Sequence, residues 1–283
     1  MSAVLRTASS LRVMAGLLRR LHRLAMTPYR RTAPSPRSGQ ATRLFFAMPS
    51  PKTALITGAT QGIGRATAFA FGRAGYKVGI CSRAEANVRK TLDDLRLEGI
   101  EAAGAAGDVG HAEQSEWIAE SLIGQLGEID VLVNNAGVLI AKPFEELSLD
   151  DWDTMMSTNV RSLYLMTRAV LPAMRRRRDG SIVNVASLAG RNGFAGGTAY
   201  AASKHAVLGF SRSLMLETRK DNIRVIAICP GSVATSMLQE QAMLKSDPQR
   251  ILQPDDVAAT IVHAVGLPVR AMVSELDIRP TNP

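Results

Sequence analysis

In the stretch TAYAASKHAVLGF, Thr198 to Phe210, Tyr200 and Lys204 stand four residues apart in a run of small and aliphatic residues that reads as a helix. Side chains at i and i+4 lie one above the other on the same helical face, so the phenol and the ammonium are directed into the same space. With ordinary pKa values of ~10 and ~10.4, neither group exchanges protons readily near neutrality by itself. A cation held nearby lowers a phenol's pKa by roughly 1 to 3 units, which makes the pair a candidate general acid and base. An ordinary amphipathic helix carrying one Tyr and one Lys has the same spacing. The pair therefore gains meaning only from what the rest of the chain sets beside it.

Those neighbours must be held by a regular scaffold, and the sequence describes one. Short β-rich runs (TALIT, KVGIC, DVLVN, SIVNVAS, IRVIAIC) alternate with helical stretches from Lys52 onward. That alternation predicts βαβ units: an α/β fold with a single Rossmann-type, doubly wound parallel sheet of about seven strands and helices on both faces. The first strand runs into TGATQGIGRA, where Gly58, Gly62 and Gly64 space the turn and Gln61 and Ile63 lie between and beside them. A strand that empties through glycines into a helix offers backbone N–H groups and the positive end of a helix dipole to a pyrophosphate. VNNAG closes the fourth strand with Asn135 and Gly137, Asn159 lies in a long helix, Ser187 ends the fifth strand, and PGSVAT brings Pro230, Gly231 and Thr235 after the sixth. All lie at or near the carboxyl edge of the expected sheet, where open α/β folds bind ligands.

With these motifs together, T-G-x-x-x-G-x-G, N-N-A-G, a Ser thirteen residues before Y-x-x-x-K, and P-G, the chain resembles the short-chain dehydrogenase/reductase family, in its NADP-preferring, 3-oxoacyl reductase-like form. The resemblance runs from Lys52 to about Pro280. It implies an enzyme that interconverts a ketone and a secondary alcohol by hydride transfer. It also implies roles: Ser187 binds the substrate oxygen, Tyr200 gives or takes the proton, Lys204 holds the nicotinamide ribose and depresses the tyrosine's pKa, and Asn159 anchors a water on the path from Lys204 to solvent. Gly58, Gln61, Gly62, Ile63 and Gly64 would line the pyrophosphate, Asp108 and Val109 the adenine, Asn135 and Gly137 the adenosine side, and Pro230, Gly231 and Thr235 the carboxamide. After the second strand, Ser82 and Arg83 stand where a carboxylate would bind a ribose 2′-OH; an arginine there favours the 2′-phosphate, so the expected cofactor is NADP rather than NAD. Gln61 departs from this pattern, standing where many NADP enzymes carry a second base. The alternative of another class is a nucleotide-sensing binding module without catalysis, which would have no use for an intact Ser187, Tyr200 and Lys204.

Composition narrows the partners. The net charge of +9 comes from residues 1–47, which hold nine arginines, no lysine and no acid; without them 25 bases face 25 acids. A neutral body does not suit a nucleic-acid backbone, and a small-molecule substrate is expected instead. From Leu11 to Leu24, leucines and Met14 take one side of a helix and arginines the other, followed by a Pro/Ser/Arg-rich linker. Three readings suit this segment: an organelle presequence, a membrane- or partner-seeking helix, or translated upstream sequence ahead of a true start at Met48. The expected division is thus an Arg-rich extension over 1–47 and one domain over 48–283. No apolar run reaches the ~18 residues that span a bilayer. Cys81 and Cys229 lie on separate strand ends and the four histidines are scattered, which suits a reducing compartment and no metal site. That compartment is the cytoplasm, or a mitochondrion or plastid if the extension is a presequence.

Remaining features read as architecture. Arg175 to Arg178 close a helix, where cations suit the dipole, and Trp117 and Trp152 read as packing residues. The loop 188–197 and the Met/Leu-rich segment 236–252 are the candidate walls of an apolar substrate pocket. Helices over about 151–177 and 198–220 would carry the interface of a homodimer or homotetramer, the family's usual assembly.

Overall fold

The computed structural model describes residues 51–282 apart from 242, 245 and 246; the expected basic extension over 1–47 lies outside the described residues. Seven strands form one all-parallel sheet: β1 (Thr53–Thr57), β2 (Lys77–Ser82), β3 (Ala102–Ala106), β4 (Val131–Asn134), β5 (Gly180–Val185), β6 (Ile223–Pro230) and β7 (Glu275–Ile278), in the spatial order β3-β2-β1-β4-β5-β6-β7. The helices are α1 (Gly62–Arg73), α2 (Glu85–Leu97), α3 (Ala112–Leu126), α4 (Leu149–Met156), α5 (Ser162–Arg177), α6 (Thr198–Thr218), the single turn α7 (Ser236–Gln239) and α8 (Pro254–Gly266). This is the expected doubly wound architecture.

The strands are near-continuous apolar runs because both faces of a parallel sheet are covered. Successive side chains nevertheless go to opposite layers. Ala54 and Ile56, Val131 and Val133, and Val183 pack with Phe71, Leu95, Val257 and Ile261 of the α1/α2/α8 side. Leu55, Leu132 and Ile182 pack with Ile118, Leu122, Met166 and Leu214 of the α3/α5/α6 side. Burying side chains of this size contributes about 1.5–3 kcal/mol each, so the two layers fix the register of every strand.

Two details differ from the sequence expectations, and a third extends them. The helix expected to run unbroken over 151–177 is interrupted by a wide, π-type turn at Ser157–Arg161, between α4 and α5. Trp117 is 52% exposed and Trp152 36%, so neither is a buried packing residue in the single chain. The Arg175–Arg178 run is partly compensated by shared carboxylates: Arg175 and Arg178 pair with Asp221, and Arg176 and Arg177 with Glu128. Arg178 takes the left-handed position that ends α5, with φ of 55°.

Candidate active site

The chain reverses its winding direction between β1 and β4, which are neighbours in the sheet, and the glycine turn and the N-N-A-G loop meet there. Gly58 and Gly62 have φ of +62° and +52°, a left-handed backbone that L side chains rarely adopt. Gly64 is required for a different reason: a Cβ on it would overlap the Gly58 carbonyl oxygen and the Asn135 amide. Asn135 braces the turn by donating from Nδ2 to the carbonyls of Thr57 at 2.9 Å and Gly58 at 3.1 Å. The Thr57 hydroxyl in turn accepts from the backbone N–H groups of Asn135 at 3.0 Å and Ala136 at 2.9 Å. Thr57 was not singled out from the sequence; its place as the last residue of a strand that enters a glycine turn was the available signal.

A cleft of ≈ 670 Å³ opens beside this junction, lined among others by Ile63, Asn135, Gly137, Ser187, Tyr200, Lys204, Pro230, Gly231 and Thr235. Nine of the residues expected at the site thus share one concavity. The others lie around it. Gly62 lines an adjoining groove; Gly58 and Gln61 lie in the turn after β1 and Gly64 in the first turn of α1; Ser82 ends β2 and Arg83 follows it. The Ser82 hydroxyl oxygen is buried without a hydrogen-bond partner, while Arg83 is exposed. Asp108 is engaged locally, its carboxylate accepting from the Gly110 N–H at 2.8 Å, and Val109 is 6% exposed within the core.

Tyr200 and Lys204 do share one face of α6. The ammonium lies 5.7 Å from the centre of the phenol ring and donates to the Val185 carbonyl at 2.9 Å. Ser187 stands just beyond β5; its hydroxyl accepts from the Ala189 N–H at 3.1 Å and lies 3.5 Å from the Pro230 carbonyl. Burial pushes the Tyr200 phenol up to about 12, against a smaller downward pull from the Ser187 hydroxyl. Burial likewise brings the Lys204 ammonium down to about 8. The expected depression of the tyrosine by the lysine is not seen in the protein alone, where desolvation is the leading influence on each group.

Asn159 is 3% exposed in the π-type turn. Its Oδ1 accepts from the Val138 N–H at 2.8 Å, and its Nδ2 donates to the Val138 carbonyl at 3.0 Å and to the Ser203 hydroxyl at 2.9 Å. Ser203 passes the chain on by donating to the Tyr200 carbonyl at 2.7 Å. Asn159 thus ties the loop after β4 to the helix that carries Tyr200, and Ser203, unremarked in the sequence, is the link. Gly137 lies between, where a Cβ would come 3.3 Å from Asn159 Oδ1 and 3.7 Å from Lys204 Nζ. Wide turns of this kind recur at functional sites because they re-aim a side chain without ending the helix.

Much of the remaining lining is apolar, with Leu139, Phe194, Met237, Leu238, Met243 and Leu244; the Phe194 ring stands edge-on to Tyr200, with ring centres 6.3 Å apart. Both segments expected to form the substrate walls contribute. The far rim is the end of β7: Gly231 N–H donates to the Ile278 carbonyl at 2.8 Å, and a Cβ on Gly231 would stand 3.1 Å from Pro280. Among the described residues, no group of three or more His, Cys, Asp or Glu could hold a metal ion, and no helix is long and apolar enough to cross a membrane.

Known proteins resemble this chain in sequence and fold. The model for the family described as short chain dehydrogenase matches residues 52–245. A 3-oxoacyl-(acyl-carrier-protein) reductase of a Synechocystis species is 32% identical over 228 residues, which is 79% of this chain and 92% of the relative. Among solved structures, an actinorhodin polyketide ketoreductase variant with NADPH superposes with a TM-score of 0.76 at 33% identity, covering 81% of this chain and 96% of the other. A serine dehydrogenase complexed with NADP+ superposes with a TM-score of 0.75, also at 33% identity, covering 81% and 94%.

Proposed function

The chain belongs to the short-chain dehydrogenase family, and from that premise we propose that it is an NADP-dependent oxidoreductase interconverting a ketone or 3-oxoacyl group and a secondary alcohol. The observation that carries this reading is the convergence of Ser187, Tyr200 and Lys204 on one cleft, which is also lined by Ile63 of the glycine turn and by Pro230 and Gly231 of the P-G loop.

The residues present suit the dinucleotide. The left-handed turn at Gly58 and Gly62 and the side-chain-free approach at Gly64 leave backbone N–H groups for a pyrophosphate. At the end of β2, the unpartnered buried Ser82 hydroxyl and the exposed Arg83 suit a ribose 2′-phosphate, and no carboxylate stands there to repel it. NADP-bound relatives lend the same reading support.

When bound, the dinucleotide supplies or accepts the hydride. The rest is done by side chains. Tyr200, protonated across the neutral range because of its burial, holds a proton ready for the carbonyl oxygen. Ser187 orients that oxygen by a hydrogen bond. Lys204 brings a positive charge that stabilises the phenolate as the proton leaves. Asn159 and Ser203 hold α6 against the loop after β4, so that Tyr200 keeps its aim. The roles of Asp108, Val109 and Gln61 are those of the adenine and pyrophosphate rim.

The reading extends to the whole chain. The domain is taken as residues 48–283, preceded by the basic extension over 1–47. A homodimer or homotetramer is supported by Trp117, Trp152, Tyr164 and Leu216, large apolar or aromatic side chains exposed on the outer helices of the single chain. Two buried, unpaired cysteines suit a reducing compartment, the cytoplasm, or a mitochondrion or plastid with the extension as presequence.

The test is a set of ketones and 3-oxoacyl thioesters offered with NADPH and with NADH, read as loss of reduced-nicotinamide absorbance. Turnover with NADPH preferred is expected. A preference for NADH overturns the cofactor reading, and no oxidation of either cofactor overturns the reaction.

A further inference from the structure

The cleft is lopsided in charge. Among the described residues that line it there is no carboxylate, and its only cations are Lys204, buried against the Val185 carbonyl, and Arg279 at the end of β7. Arg279 belongs to a small ionic network on the outer edge of the sheet. Arg191 spans Asp277 at 2.7 Å and Glu275 at 2.7 Å, and Arg212 holds Glu275 through both guanidinium edges. Three arginines thus share two carboxylates, and the unmatched positive charge falls to the arginine with the poorest partner. That is Arg279, whose one ionic contact, to Asp277, is 3.3 Å long, and whose side chain is 56% exposed. Charge-assisted hydrogen bonds usually close to about 2.7–2.9 Å, and a guanidinium has five donors in a rigid fork, so most of Arg279's capacity is unspent.

Position decides which anion it serves. The glycine turn follows β1, and Arg279 follows β7, four strand spacings away across the sheet, roughly 19 Å at the usual interval. That places it beyond a pyrophosphate seated on the turn. It lies instead beside the reacting wall, since Pro280 abuts Gly231, and the neighbouring Pro230 carbonyl faces the Ser187 hydroxyl. Between Ser187 and Arg279 the walls are aliphatic, with Leu188, Met237 and Leu238.

We propose that Arg279 is a substrate-binding residue, and that the substrate is an aliphatic ketone carrying an anionic group, with its carbonyl at Ser187 and Tyr200, its chain over the Leu/Met wall, and its anion in the Arg279 fork. This rests on the oxidoreductase reading and adds the substrate class to it. The anion is a carboxylate of a free oxo acid or a phosphate of a nucleotide-type thioester; both suit a guanidinium.

The experiment compares three substrates with the full chain and NADPH: a 3-oxo acid, its ethyl ester and its coenzyme A thioester. Arg279→Ala should raise KM for at least one anionic substrate about tenfold or more relative to its effect on the neutral ester, with kcat and the KM for NADPH little moved, because the lost contact binds substrate and transition state alike. Arg279→Lys should recover part of the difference. A loss confined to the acid assigns the carboxylate, and one confined to the thioester assigns the phosphate; either supports the proposal. Equal losses on all three substrates, a raised KM for NADPH, or no change on the anionic pair overturns it. If the unaltered protein reduces the ester but neither anion, the anion site is wrong and the oxidoreductase reading stands. If it reduces none of the three, both fall.

Discussion

Tyr200 and Lys204 show how far burial sets the chemistry of a pair whose spacing is plain in the sequence. Replacing Tyr200 by Phe removes the proposed proton donor and almost nothing else from the packing of α6. Turnover should fall at least the ~10²-fold expected for an acid/base group, with NADPH binding retained by fluorescence titration. The pH profile follows from the same two groups. Lys204, lowered to about 8, is charged below that pH and neutral above it, while Tyr200 keeps its proton up to about 12. Reductive kcat/KM should therefore be level through neutrality and decline as pH rises past about 8; a rate that goes on climbing into the alkaline range would exclude Lys204 as the required cation. The residues of this site were legible because their types and intervals are demanded by the reaction. Thr57 and Ser203 were not, because a hydroxyl that serves a backbone amide can sit on any residue the fold brings near, and only the fold says which.

At the scale of elements, five strands were legible as bounded apolar runs, whereas β3 (AAGAA) and β7 (ELDI), short and poor in large apolar side chains, had no such run to mark them. The break at Ser157–Arg161 was invisible: STNVR has no proline or glycine to announce it, and what holds the turn is Asn159, bonded to Val138 and Ser203 from other parts of the chain. The glycine turn is the opposite case, where composition alone states the constraint. Gly64→Ala sets a methyl group against the Gly58 carbonyl and the Asn135 amide, so α1 must shift. A destabilisation of about 1–3 kcal/mol is expected from such overpacking, together with a weakened grip on NADPH. Thermal unfolding with and without the cofactor measures both, and an unaltered midpoint with full cofactor stabilisation would contradict the close approach.

For the whole molecule, assembly and the basic extension are joined in one expectation. A chain beginning at Met48 should form the same symmetric dimer or tetramer by light scattering, with the same turnover, as the full chain, since every proposed cofactor and catalytic group lies between Thr57 and Thr235 and the outer helices lie beyond the extension. A monomer in either case would leave Trp117, Trp152 and Tyr164 exposed without a partner, and loss of activity on shortening would make the extension part of the site. The rim formed by β7 has a bearing of another kind, on the order in which the site comes into being. Synthesis delivers the chain from its amino end, so the cofactor turn emerges with β1, whereas the strand that receives the Gly231 N–H and carries Arg279 emerges after every other element. Within the described chain the glycine turn and the Asn135 that braces it precede this rim by more than a hundred residues. The rim of the cleft is complete only once β7 has paired with β6 and received the Gly231 N–H.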